Sequence, residues 1–85
     1  MKILIKEKEI SVISRNHPEK KFNYGSQHID EIGFQAVDNL VEAVVKTIDS
    51  DEEVFVEAKT GDMSAKMISR KIEDKIKREV VLVNN

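Results

Sequence analysis

Residues 53–83 read EVFVEAKTGDMSAKMISRKIEDKIKREVVLV, and this stretch decides the fold. Val54-Phe55-Val56 with Ala58 has the β-branched and aromatic density of a strand, predicted over residues 53–59, and Thr60-Gly61-Asp62 stops it. Ala65, Ile68, Ile72 and Ile76 then recur at the three-and-four spacing of a helix, predicted over 63–78 with Asp62 as its N-cap. Val80-Val81-Leu82-Val83 is an apolar run too short for a helix, and it predicts a last strand over 79–83, central in its sheet. Strand, helix and strand in this order make a crossover unit with parallel strands.

Working back from Glu53, Asp49-Ser50-Asp51-Glu52 is a polar break that reads as a solvated turn. Before it, Phe34, Val37, Leu40, Val41, Val44, Val45 and Ile48 form the apolar stripe of an amphipathic helix over 30–49, with Asp30 as N-cap. Residues 15–28 hold the chain's single proline and show no apolar period, which predicts a long loop. Nearest the N-terminus, Ile3, Ile5, Ile10 and Val12 alternate with polar residues on either side of Lys6-Glu7-Lys8-Glu9, as in a hairpin over 2–14. The expected architecture is one α/β (α+β) domain over 1–85 in the order ββαβαβ: a small mixed sheet with two helices packed on one face. The sheet's other face also receives apolar side chains, so either the hairpin and loop or a second copy of the chain is expected to cover it, and a homodimer is one expectation.

Eighty-five residues bury only about 60% of the surface that the unfolded chain exposes, so the core is thin. The aromatic residues are Phe22, Tyr24, Phe34 and Phe55, and the core rests on Ile, Val, Leu and Met. There is no cysteine, which removes disulfides and thiolate metal sites and suits a cytoplasmic location. No apolar run approaches the ~20 residues of a membrane span, and Met1–Glu9 does not build the apolar core of a signal peptide.

The net charge of −2 hides an uneven distribution. Residues 1–28 carry six Lys/Arg against three Glu, residues 29–60 two Lys against nine Asp/Glu, and residues 61–85 six Lys/Arg against four Asp/Glu. The acidic middle third places Asp38, Glu42 and Asp49 on the outward side of the first helix, with Glu31 near its start. Such a face is either a device for solubility or a surface that attracts a basic partner. Arg15, Lys20 and Lys21 next to Phe22 and Tyr24, together with Lys66, Arg70 and Lys77 on the second helix, are the cations and stacking surfaces that a nucleic-acid binder uses, or else an ordinary charged face and two loop anchors.

No motif for catalysis or cofactor binding stands out. The Thr60–Ser64 turn lacks the repeated glycines of a nucleotide loop, His17 and His28 lack the spacing of a metal pair, and no serine or cysteine sits in a nucleophile motif. The expectation is a protein that is not an enzyme, with no metal and no cofactor. From Leu40 to Val83 the order helix, strand (EVFVEAK), turn, basic helix (SAKMISRKIEDKIKR) and strand resembles the Alba type of small nucleic-acid-binding domain. The resemblance covers about half the chain and implies nucleic-acid binding. That family's lysine pair precedes its first helix, and Lys20-Lys21 lies about ten residues from the helix here; the family's C-terminal hairpin has no counterpart after Val83. The leading expectation is a small interaction protein of the kind viruses and mobile elements encode. It binds and regulates or inhibits a protein through the acidic face; the alternative is a nucleic-acid-binding module.

Overall fold

The computed structural model describes residues 1–6, 9–14, 21–22 and 29–84. Its elements are β1 (Lys2–Lys6), β2 (Glu9–Ile13), β3 (Lys21–Phe22), α1 (Ile29–Val45), β4 (Val54–Ala58), α2 (Met63–Ile76) and β5 (Val80–Asn84). They form a five-stranded mixed sheet in the order β3-β2-β1-β4-β5, with both helices packed on one face. The hairpin pairs β1 and β2 antiparallel from Lys2↔Ile13 to Lys6↔Glu9, and β3 adds to it antiparallel. Strand β4 lies parallel to β1 and to β5, so each helix is a crossover between parallel strands.

The period of two seen in the sequence is the period of burial. Ile3, Ile5, Ile10 and Val12 on the hairpin, Val54, Val56 and Ala58 on β4, and Val80 on β5 all point to the helices and are buried. Val37, Val41 and Val44 meet them from α1, and Ala65, Ile68 and Ile72 from α2. Burying one such Ile or Val contributes about 1.5–3 kcal/mol.

Several features differ from those expected. Helix α1 begins at Ile29, which puts Asp30 inside the first turn instead of at the N-cap. It ends at Val45, where the Thr47 N–H and hydroxyl both donate to the Val44 carbonyl, at 2.9 and 2.8 Å, and close the last turn short of Asp49. The stretch read as a loop over 15–28 contains β3, which the sequence does not announce because two residues carry no period; the remainder of that stretch lies outside the described residues. Finally, β5 is the edge of the sheet and not a central strand. Its continuous apolar run reflects a buried Val80 and half-buried Leu82 on the helix side, alternating with exposed Val81 and Val83.

Helix α2 follows the expected chemistry at its start. The Asp62 carboxylate accepts the Ala65 N–H at 3.1 Å, and Gly61 enters the turn with φ +86°, a conformation that favours glycine. At its end Lys77 takes the left-handed conformation, φ 60° and ψ 37°, and its N–H donates to the Glu73 carbonyl at 2.8 Å. The Glu73 carboxylate in turn accepts the Val80 N–H at 2.9 Å, fastening the helix to the strand that follows. No helix among the described residues is long and apolar enough to cross a membrane.

Candidate functional site

Residues three or four apart share one side of a helix, so α1 presents Gln35, Asp38, Asn39 and Glu42 together. The Gln35 amide donates to the Asn39 amide oxygen at 3.1 Å along this side. Helix α2 packs beside α1 and offers Lys71 and Lys75, which have the same four-residue spacing as Asp38 and Glu42. Lys71 Nζ lies 2.7 Å from Asp38 Oδ1, and Lys75 Nζ lies 3.9 Å from Glu42 Oε1. The two pairs are rungs between the helices, along an open groove that Asp74 and the buried Val41 also line. The Asp38 and Glu42 side chains remain 52% and 60% exposed, so each rung contributes at most about 1 kcal/mol and its main effect is to fix where the charges sit.

The expected acidic face is therefore only partly assembled. Asp38 and Glu42 stand together; Glu31 is in the first turn of α1, its side chain outside the described set. Asp49 lies beyond the helix in a turn, where its carbonyl accepts Arg78 Nη2 at 2.8 Å and the neighbouring Ser50 carbonyl accepts Nη1 at 2.6 Å. Lys71 and Lys75 were absent from both expected site sets. Their four-residue spacing is visible in the sequence, but that they face Asp38 and Glu42 follows from how the two helices pack.

The basic set is also divided. Lys66, Arg70 and Lys77 are exposed, and none of them forms an ion pair among the described residues. Lys21 sits on β3, 3.6 Å from Glu9, at the sheet edge opposite the β4–β5 side on which α2 packs. Phe22 lies opposite Ile10 and packs against the core, which makes it an anchor more than a stacking surface. Arg15, Lys20 and Tyr24, like His17 and His28, lie outside the described residues. Among the described residues no cluster of three His, Asp or Glu is placed to hold a metal ion.

One acidic residue behaves unlike its reading as part of a solvated turn. Glu52 is 6% exposed, and its carboxylate lies 3.2 Å from the Met1 ammonium group and accepts the Asp49 N–H at 3.2 Å. The ammonium also donates to the Glu53 carbonyl, and the Met1 carbonyl accepts the Phe55 N–H at 2.9 Å, which extends the pairing of β1 with β4. These contacts hold the 49–52 turn, and with it Asp49, against the start of the sheet.

Comparison with protein-family models, curated proteins and solved structures finds no match to this chain.

Proposed function

We propose that the protein is a non-enzymatic interaction module that binds and regulates or inhibits a basic protein, such as one whose own ligand is a nucleic acid, through the α1–α2 groove. The observation that carries this reading is the pair of rungs: Asp38 and Glu42 are more than half exposed yet held in place by Lys71 and Lys75. A partner's cations can take over the two carboxylates at little net electrostatic cost, while Lys71 and Lys75 turn to the partner's acids. With Asp74 the groove holds three carboxylates against two ammonium groups, and it lies beside the segment of strongest negative charge. Such a field speeds association more than it deepens affinity.

The test replaces Asp38 by Asn and Glu42 by Gln, which removes the charges but keeps the size. Wild type and variant are used to capture partners from lysate, and association rates are then measured with the partner identified. The variant should associate more slowly at low salt, and the difference should shrink as salt screens the field over about 10 Å at 0.1 M. Equal rates at low salt would sink the proposal.

A nucleic-acid module is the second reading, supported by Lys66, Arg70 and Lys77, which are exposed and form no ion pair among the described residues. If it holds, affinity for an oligonucleotide falls steeply with salt, and Lys66→Ala with Arg70→Ala lowers the log–log slope by about one unit per cation removed.

A further inference from the structure

The α1–α2 groove carries its charges in an order that matches itself. Asp38 and Lys71 form one rung and Glu42 and Lys75 the next, so a step of four residues toward the C-terminus on α1 meets the same step on α2. The two helices therefore run in the same direction, and successive rungs stand about 6 Å apart, the rise of four helical residues. Both rung acids belong to α1 and both lysines to α2. The four side chains are 31–60% exposed, so each can meet a second opposite charge without leaving the first.

We propose that two copies of this chain associate groove to groove about a two-fold axis that runs along the groove. Such an axis lays α1 of each copy over α2 of the other without shifting either along its length. Asp38 then comes opposite Lys71 of the second copy and Glu42 opposite its Lys75, and each rung becomes a ring of four alternating charges. The charges exclude an axis across the groove, which sets α1 on α1 and α2 on α2, acid on acid and lysine on lysine. They also select the occupant. A different protein has to bring two anions and two cations at this pitch with the signs crossed, whereas a second copy already holds that pattern. The third acid of the groove, Asp74, forms no ion pair among the described residues. Three residues past Lys71, it falls beside Glu42 of the second copy and opposes the association. The inference concerns the groove of the preceding proposal but needs no basic partner; self-association covers the groove and competes with one.

Exposed ion pairs are individually weak, and an interface built on them belongs to the small, transient class, dissociating at about 0.1–1 mM in low salt. Sedimentation of the wild-type chain over a concentration series crossing that range should show the mass rising from 9.7 kDa toward twice that value. Salt at about 0.5 M should weaken the dimer about tenfold or more. Asp38→Lys with Glu42→Lys leaves only cations in the rungs and should weaken it by at least as much. Adding Lys71→Asp and Lys75→Glu restores the alternation with every sign reversed and should restore the dimer. Asp74→Asn should tighten it severalfold, whereas the same change slows association with a basic partner, so the two readings respond to one substitution in opposite directions. A single mass of 9.7 kDa throughout overturns the proposal whether or not the variants fold, and leaves the basic-partner reading standing. A dimer that persists in the folded double-lysine variant, that a folded fourfold variant fails to restore, or that Asp74→Asn weakens, overturns it as well.

Discussion

Replacing Glu52 by Ala tests a buried ion pair between residues far apart in the sequence. The carboxylate is 6% exposed and serves two donors, the Met1 ammonium and the Asp49 N–H, both at 3.2 Å. Removing one member of a buried ion pair costs about 3–5 kcal/mol, because the remaining charge is left without its partner. Here the ammonium keeps the Glu53 carbonyl, and a chain end can move toward water, so we expect a loss of about 2–4 kcal/mol. A domain of this size has roughly 4–13 kcal/mol in total, and each kcal/mol moves its melting temperature by about 4–8 °C. Urea unfolding followed by far-ultraviolet circular dichroism measures the loss directly. Glu52→Gln keeps an acceptor without the charge and should fall between wild type and Glu52→Ala. Residues fused ahead of Met1 turn the ammonium into an amide and should reproduce much of the effect. A loss below about 1 kcal/mol for Glu52→Ala would refute the reasoning, since that is the range of a solvated pair.

Ile72 is fully buried where α2 meets the sheet, so Ile72→Ala should cost about 2–5 kcal/mol in the same unfolding assay; a melting point lowered by only a degree or two would contradict its placement. The Ser69 hydroxyl is buried on α2 with no hydrogen-bond partner among the described residues, so Ser69→Ala should raise stability by about 0.5–1.5 kcal/mol, and a clear loss would reveal a partner. Lys77 holds a left-handed conformation that glycine adopts freely, so Lys77→Gly should stabilise by about 0.5–1 kcal/mol while lowering oligonucleotide affinity if the basic set binds one. Thermal melts check the first effect and a salt-dependent binding titration the second.

The elements themselves were legible because each rests on local chemistry. Alternation at Ile3, Ile5, Ile10 and Val12, the stripe of Ile68 and Ile72, and Asp62 as a cap all keep their meaning in the folded chain. What was illegible depends on neighbours distant in sequence. Val80–Val83 reads as buried on both sides because it is apolar throughout, yet strand order leaves it at an edge with alternate side chains in solvent. Glu52 reads as solvated among Asp51 and Glu53, yet it is buried and paired with a residue 51 positions away. For Asp38 and Glu42, periodicity identifies the side of α1 that avoids the core; that the same side borders Lys71 and Lys75 follows from helix packing, which periodicity does not contain.

The position of β1 has a consequence for how the chain is made. Strand β1 is the middle of the finished sheet, and its parallel partner is made only with residues 55–57. At about 5–20 residues per second, β1 waits roughly 3–10 s with one side unpaired. Its hairpin with β2 is local and quick to form, but a lone hairpin is marginal in water, and closing the register Lys2↔Phe55 means drawing in the whole intervening chain. The rate-limiting step of folding should therefore be the docking of β4 on β1. The nascent chain is most exposed to misassembly in the interval between the two.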